Sequence, residues 1–300
     1  LVNNNFTAGP RPAEPFPIPV HSGDVRVDVQ SAIAMLAPAW GLRPLLDIDD
    51  EEAEENLAKV SVMAMSFVAQ AARGLGQPMV PQAEIDKAST IVERFMVRWR
   101  GEPDPKHVQA VDAYFVSAAE HGMNASTFTA RVIASTGADV PAAISGAIGA
   151  MSGPLHGGAP SRVLGMIEEI EQTGDADAYV RNVLDSNQRL MGFGHRVYRA
   201  EDPRARVLRR TAKELDAPRY EVAVALERAA LAQLRERRPA RVLETNVEFW
   251  AAIVLDYAQV LATGDSSQRV VTMPAGPLAG TYQISAMPCY GNVMVVARGL

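Results

Sequence analysis

Apolar residues recur at every third or fourth position along most of the chain, the spacing that places them on one face of an α-helix. The acidic run Asp49–Glu52 marks the start of one such segment, which extends to about Gly74, because negative charge stabilises a helix N-terminus. The later segments with this spacing are 85–99, 108–118, 163–170 and, more loosely, 222–231. Alternating strand patterns are scarce before residue 265. The pattern therefore predicts an all-α fold of many helices of moderate length.

Three stretches depart from this pattern. Residues 1–25 include five prolines between Pro10 and Pro19, which favour an extended arm over a packed helix. Residues 142–150 are mostly Ala, Gly, Ser and Ile, and such small side chains favour a buried helix at a domain or subunit contact. The tail, residues 261–300, is rich in Gly, Pro, Ser, Val and Met, and we expect loop with one short strand at Val293–Val296.

The composition limits the class of protein. The chain has 300 residues, of which 48% are hydrophobic, enough for a sizeable core in one large domain or two ordinary ones. Its 29 basic and 35 acidic residues give a formal net charge of −6, which argues against nucleic acid as a partner. No run of about 18 apolar residues is present, so we expect no membrane partner.

Cys289 is the one cysteine in the chain. A single cysteine excludes an intramolecular disulfide and a cysteine-rich zinc site, and we expect no metal and no cofactor. Cysteine usage of this kind fits a reducing compartment, and the first residues lack the charged and apolar regions of a signal peptide. We therefore predict a cytoplasmic location.

Two glycine-walled histidine loops are the main candidates for chemistry. They are Gly153-Pro154-Leu155-His156-Gly157-Gly158-Ala159 and Met191-Gly192-Phe193-Gly194-His195-Arg196-Val197-Tyr198-Arg199. Glycine lets the main chain approach a ligand closely, and histidine is the side chain best suited to proton transfer near neutral pH. A single histidine is more often structural than catalytic, but the surrounding glycines favour acid–base chemistry on a substrate held near the main chain.

Other candidate residues each have an ordinary alternative. Glu248 follows Asn246-Val247 at the expected start of a helix, where an acid commonly stabilises the first turn, but against Phe249 and Trp250 its carboxylate would be more basic. Arg199 and Arg204 suit an anionic ligand or a solvated helix start. At His121-Gly122-Met123-Asn124, either Asn124 or Ser126 is expected to cap the next helix.

These motifs together resemble the citrate synthase family. The resemblance covers about residues 28–257 and rests on five motifs in the family's order and rough spacing: His121-Gly-Met-Asn, Gly-Pro-Leu-His156-Gly-Gly-Ala, Met-Gly-Phe-Gly-His195-Arg-Val-Tyr, Asp-Pro-Arg204 and Asn-Val-Glu248-Phe-Trp. It implies a multi-helical homodimer whose large and small domains enclose the active site. It also implies condensation of acetyl-CoA, a co-substrate, with oxaloacetate.

The resemblance assigns roles residue by residue. Glu248 matches the catalytic carboxylate that removes a methyl proton, His156 would bind the thioester oxygen, and His195 would bind and help protonate the oxaloacetate ketone. The remaining positions match substrate or CoA contacts: His121, Asn124 and Arg204 for oxaloacetate, and Arg199, Gly192, Phe193 and Gly194 for CoA. The implied domains are an arm (1–25), the first part of the large domain (26–158), the small domain (159–257) and an atypical tail (258–300).

The chain departs from the family pattern at two places. Glu248 stands where the family usually has Asp, and the extra methylene moves the carboxylate by about 1 Å, a displacement that can slow a reaction by roughly a hundredfold. Beyond Tyr257 the expected arginine, Gly-Trp and histidine motifs are missing, and Arg269 and Arg298 lack the surrounding pattern. Divergence or a reading-frame change near residue 260 would each explain this tail, and translation of the gene in all three frames separates them.

Three functions are therefore compatible with the sequence. Citrate synthase is the leading hypothesis. A 2-methylcitrate synthase would use propionyl-CoA instead, and one methylene discriminates between substrates by only about 1–3 kcal/mol. The altered tail and Glu248 favour a third alternative, a catalytically weak paralogue that binds CoA or oxaloacetate.

Overall fold

A computed structural model describes residues 16–119, 122–153, 156–157, 159–194, 200–259, 269–273, 280–289 and 292–299, the side chains only as far as residue 259. The first compact unit comprises residues 1–103, 121–156 and 269–300, and the second comprises 104–120 and 157–268. The break at 156–157 falls near the predicted boundary at 158, whereas residues 104–120 group with the second unit. The assignment of these units as large and small domains stays a prediction.

The first unit contains seven of the α-helices among the described residues, together with the strands of the tail. The helices are α1 (Val25–Ala34), α2 (Leu36–Trp40), α3 (Asp50–Arg73), α4 (Gln82–Ile85), α5 (Ile91–Arg100), α7 (Ala125–Ala134) and α8 (Val140–Met151), with a short 3₁₀ turn at Leu45–Asp47. Asp49 caps α3 by accepting a hydrogen bond from Glu52 N, as its acidic start predicts. The core of this unit lies where α1 and α3 pack on each other and on α5 and α8.

The predicted helix across residues 85–99 is wrong in one respect, because the structure divides it into α4 and α5. Thr90 Oγ1 accepts a hydrogen bond from Glu93 N at 3.0 Å and starts a new helix there. Ile85 and Ala88 are nevertheless buried, like Phe95 in α5. Apolar spacing thus identified the buried positions but not the break between the two helices.

The small residues of α8 permit close contact with α1 and α7 of the same unit, and the predicted contact with another domain or subunit stays a prediction. A methyl group on Gly146 would lie 2.2 Å from Ile133 Cδ1 of α7, and one on Gly149 would lie 3.0 Å from Gln30 Nε2 of α1. Gln30 and Ser145 also exchange two hydrogen bonds between α1 and α8. Larger side chains at these positions would force the helices apart.

The second unit is built around α13 (Val247–Tyr257), a helix buried on nearly all sides. Its neighbours include α6 (Pro105–Ala118), α9 (Ala159–Thr173) and α11 (Pro203–Glu214); α10 (Ala176–Asp185) and α12 (Tyr220–Arg237) complete the described helices of this unit. Residues Phe249 to Leu255 are all essentially inaccessible to solvent. A helix that is apolar all round belongs at the centre of a core.

The tail contains three antiparallel strands, β1 (Arg269–Met273), β2 (Gly280–Cys289) and β3 (Asn292–Gly299), in the order β1-β2-β3. β3 includes the predicted strand at Val293–Val296. The expectation of loop elsewhere in the tail is wrong for β1 and β2. The helical fold of residues 25–257 is all-α, as predicted.

Candidate active site

In the first unit, Ser126 connects two of the predicted site residues. Its hydroxyl lies 2.8 Å from Asn124 Oδ1 and 3.0 Å from His156 Nε2, and Ser126 is only 3% exposed. Asn124 Oδ1 also accepts a hydrogen bond from Thr127 N at 2.9 Å and so caps α7. Asn124 therefore fulfils the predicted capping role, and its contact with oxaloacetate stays a prediction.

The direction of the Ser126 hydroxyl proton is linked to which ring nitrogen of His156 donates a hydrogen bond. Asn124 Oδ1 can only accept, so in one of two arrangements the single hydroxyl proton of Ser126 lies toward Asn124. The contact with His156 is then a donation from Nε2–H to Ser126 Oγ. If Ser126 instead turns its proton to Nε2, a neutral His156 carries its proton on Nδ1. One hydroxyl rotation thus selects which ring nitrogen is a donor.

In the second unit, the loop that precedes His195 pairs with the segment leading into α13. Phe193 and Thr245 form an antiparallel bridge, and Gly194 N donates to Glu244 O at 2.7 Å. Asn246 contributes two further bonds, from its main-chain N to Gly192 O and from its Nδ2 to Gly194 O. The predicted CoA loop is therefore joined to the helix that carries Glu248.

Gly192 and Gly194 are required by the geometry of this loop. Their φ angles are +86° and +84°, in the left-handed region that glycine tolerates best. A methyl group on Gly192 would lie 2.8 Å from Phe249 Cβ, closer than side chains pack. The ring of Phe193 lies 5.2 Å from that of Phe249, so the loop is held against α13.

Asp202 holds the start of α11 and the start of α13 together. This carboxylate is 1% exposed and binds Arg204 through two hydrogen bonds, from Nε at 2.9 Å and from a terminal guanidinium nitrogen at 2.7 Å. It also caps α11 through Arg204 N and accepts a hydrogen bond from Val247 N at 3.0 Å. A buried carboxylate with this many donors is well compensated.

Glu248 lies in the first turn of α13, where its main-chain N–H donates to the capping Asn246 Oδ1 at 3.0 Å. Burial of the carboxyl raises the pKa of Glu248 to about 7, the nearby Arg204 opposes this rise, and Asp202 adds to it. The direction of this shift agrees with the sequence prediction that the Glu248 carboxylate is more basic than usual. A carboxyl group with a pKa near 7 is suited to general base catalysis at neutral pH.

The structure thus groups the predicted residues within each unit. Asn124 and His156 lie together in the first unit; Gly192, Phe193, Gly194, Arg204 and Glu248 lie around the start of α13 in the second. His121, His195 and Arg199 fall outside the described residues. Two residues were not predicted to act in the site, Ser126 and Asp202. The Asp-Pro pair before Arg204 is a helix-start signal that points to Asp202.

No cluster of His, Cys, Asp or Glu suited to a metal ion occurs among the described residues. Within the same part of the chain, no helix is long and apolar enough to cross a membrane. A cleft of about 120 Å³ in the first unit is lined by Ile18, Gln70, Arg73 and Arg98, among others. None of the predicted site residues lines it.

Comparison with known proteins identifies the family. The family profile described as "Citrate synthase, C-terminal domain" matches residues 17–263. The chain is 71% identical over 262 residues to a Mycobacterium bovis protein named "Putative citrate synthase 2", a match that covers 87% of this chain and 70% of that protein.

Solved structures share the same fold. Citrate synthase from Thermoplasma acidophilum, crystallised with carboxymethyl coenzyme A and oxaloacetate, superposes with a TM-score of 0.68 at 23% identity, covering 78% of this chain and 61% of that one. Citrate synthase from Thermotoga maritima gives a TM-score of 0.63 at 28% identity, covering 80% and 61%. The chain thus spans about three fifths of these solved chains. By its sequence and its fold, it belongs to the citrate synthase family.

Proposed function

We propose that the chain condenses acetyl-CoA with oxaloacetate to give citrate and CoA, the reaction that brings acetyl units into the tricarboxylic acid cycle. The observation that carries the proposal is Glu248, whose burial at the start of α13 raises its pKa to about 7. The methyl protons of a thioester are weakly acidic, so their removal needs a positioned base and stabilisation of the thioester oxygen. The family membership supplies the substrates.

In the proposed mechanism, Glu248 takes one methyl proton as His156 donates a hydrogen bond to the thioester oxygen. The Ser126 contact bears on this role, because Nδ1 of a neutral His156 donates only when Ser126 turns its proton to Nε2. The Ser126 hydroxyl can donate this hydrogen bond because its oxygen lies 3.0 Å from Nε2 of His156. With Nε2 accepting this hydrogen bond, His156 would present Nδ1–H to the thioester oxygen while the enolate forms.

The nucleophilic methyl carbon then attacks the ketone carbon of oxaloacetate, and the ketone oxygen takes a proton, in this proposal from His195. Arg204 and His121 would hold the oxaloacetate, and Arg199 with Gly192, Phe193 and Gly194 would hold CoA. Water then cleaves the thioester of the condensed product, which releases free CoA thiol and citrate. Exclusion of water until condensation is complete prevents loss of acetyl-CoA.

The altered tail bears on the strength of oxaloacetate binding. The arginine motif expected beyond Tyr257 has no recognisable counterpart in residues 258–300. Each charge-assisted hydrogen bond lost would cost about 1.5–3 kcal/mol of binding free energy. The expected consequence is a raised KM for oxaloacetate; in the extreme, the chain would be a weak paralogue that binds substrate without turnover.

A thiol-release assay with oxaloacetate and either acetyl-CoA or propionyl-CoA tests the proposal. Release with acetyl-CoA that is lost in Glu248→Gln supports citrate synthesis. Faster release with propionyl-CoA would identify 2-methylcitrate synthesis instead. If the folded protein releases thiol with neither substrate, both enzymatic proposals are wrong and the binding paralogue remains.

We further propose that the chain forms a homodimer in the cytoplasm. The outer face of α7 exposes Phe128 and Val132, one helical turn apart, with exposed fractions of 57% and 48%. A second copy would cover this apolar face, in keeping with the family resemblance.

Light scattering should report a dimer for the native chain and a monomer for Phe128→Glu. Leu75→Glu, at an exposed apolar residue elsewhere, should stay dimeric; equal masses for the two variants would refute this interface.

A further inference from the structure

A buried hydrogen bond joins α13 to α12. The indole Nε1–H of Trp250 donates to Glu227 Oε1 at 2.9 Å, and Trp250 has no solvent exposure. Glu227, only 7% exposed, lies in the middle of α12. A carboxylate so far from water is tolerated only when its oxygens are bound, so this contact is a strong constraint on both helices.

The second oxygen of Glu227 connects the same pair to α11. Arg209 lies 3.2 Å from Glu227 Oε2 through a guanidinium nitrogen, and the guanidinium carbon lies 5.5 Å from the centre of the Trp250 ring. Tyr220, the first residue of α12, also contacts Trp250, and the centroids of the two rings lie 5.5 Å apart. Trp250 is therefore fixed by a hydrogen bond and by two ring contacts, from residues of α11 and α12.

Glu248 lies between two residues of α13 that are held by buried carboxylates, Val247 and Trp250. Val247 N donates to the buried Asp202, one residue before Glu248, while Trp250 is held by Glu227 two residues after it. Residues in an α-helix advance by about 1.5 Å each, so positions 247 to 250 move as one body. A shift of α13 would carry the Glu248 carboxylate with it and would break a hydrogen bond to a buried charge.

We propose that Trp250, Glu227 and Arg209 form a positioning cluster that sets the reach of Glu248 toward the acetyl methyl group. The inference rests on the proposed function, in which Glu248 is the base. Glu248 is one methylene longer than the Asp usual in the family. The cluster holds α13 at a distance from which the Glu248 carboxylate reaches the substrate, whereas the shorter side chain of an Asp at this position would not.

A double-mutant cycle between Trp250→Phe and Glu248→Asp tests the inference through kcat. Phe keeps an aromatic ring but removes the indole N–H, which frees α13 from Glu227. Glu248→Asp alone should lower kcat by roughly a hundredfold, the effect of a displacement of about 1 Å. In the Trp250→Phe background the same change should cost at least about fivefold less, the coupling expected for residues in one network. Losses that simply multiply would refute the positioning role.

A milder pair of variants guards against misfolding of Trp250→Phe. Arg209→Gln removes the cation from Glu227 at a side chain that is 43% exposed, whereas Arg210→Gln changes a neighbouring arginine that pairs with Glu214 at 3.6 Å on the surface. We expect Arg209→Gln to lower kcat severalfold with KM for oxaloacetate unchanged, and Arg210→Gln to change neither. Equal kcat for the two variants would contradict the inference.

The result that would refute the proposed function differs from the result that would refute the positioning cluster. If Glu248→Gln keeps the native kcat, then Glu248 is not the base and the proposed mechanism is wrong. If Glu248→Gln is inactive while the cycle is multiplicative and Arg209→Gln matches Arg210→Gln, the base assignment stands and only the positioning cluster is refuted.

Discussion

Asp202 Oδ2 accepts a hydrogen bond from Val247 N at 3.0 Å. The carboxylate that binds the Arg204 guanidinium thus also binds the main chain immediately before Glu248. The proposed oxaloacetate ligand and the proposed base share one buried support, so a change at Asp202 should alter both.

The charge of Asp202 is expected to shift the working pH of Glu248. Burial is the main cause of the raised pKa of Glu248 and Asp202 adds to it, so Asp202→Asn should lower that pKa and move the acidic limb of the kcat/KM profile to lower pH. Glu201→Gln, at the adjacent acid that pairs with Arg206 on the surface, should leave the limb in place. An acidic limb that stays in place or moves upward in Asp202→Asn would contradict this assignment.

Gly192 and Gly165 should respond in opposite ways to alanine. Gly192→Ala places a methyl group 2.8 Å from Phe249 Cβ at a φ of +86°, and should lower the free energy of unfolding by about 1–3 kcal/mol and weaken CoA binding. Gly165→Ala, in α9 with open space around it, should raise that free energy by up to about 1 kcal/mol. Urea denaturation measures both, and a tolerated Gly192→Ala would refute the proposed loop geometry.

The sequence predicted the parts of this molecule that depend on local spacing. The helices α3, α6 and α9 follow from apolar periodicity, and α13 begins where the sequence analysis expected a helix to start, just before Glu248. The division between α4 and α5 depends on one hydroxyl, that of Thr90, which periodicity does not register.

The arrangement of the candidate site was less predictable, because its supports connect residues far apart in the chain. The bridge between Phe193 and Thr245, and the bond from Val247 to Asp202, arise only when the loop and two helices pack together. Motifs identified Glu248 and His156 as candidates, but no local signal indicated that Ser126 lies against His156. The strands β1 and β2 have weak alternation in a tail rich in Gly and Pro.

Ser126 should affect chemistry more than stability. Ser126→Ala leaves Asn124 to cap α7 but removes the oxygen next to His156 Nε2, so kcat should fall by about tenfold or more, as on loss of one charge-stabilising group. Ser135→Ala removes an exposed hydroxyl that bonds only locally to Val132 O and should leave kcat unchanged. Equal kcat values for the two variants would remove Ser126 from the mechanism.

Arg219 neutralises a group of carboxylates at the opposite end of α13. Its guanidinium lies 3.2 Å from Asp256, 3.1 Å from Glu171 and 3.6 Å from Glu168, and burial raises the pKa of Asp256 to about 6 even beside this cation. A raised pKa means that Asp256 favours the folded state most below its ordinary value of 3.8, and that this contribution is lost as the pH rises through 6.

The stability that Arg219 contributes to the folded protein therefore depends on the charge of Asp256. Arg219→Leu should lower Tm more at pH 8, where Asp256 is ionised, than at pH 5, where it is protonated, with a loss at pH 8 of about 1–3 kcal/mol. Calorimetry at both pH values measures this, with the exposed Arg210→Leu as the control. A penalty that is equal at the two pH values would show that Asp256 does not titrate as described.

The central claim is that Glu248 removes a proton from the acetyl methyl group. Incubation of acetyl-CoA with the protein in D₂O, with malate as an oxaloacetate analogue that has no ketone to attack, isolates this step from condensation. Mass spectrometry should detect deuterium in the methyl group with the native chain and none above background with Glu248→Gln. Undiminished exchange in Glu248→Gln would contradict the account, because the proton would then leave to a different base.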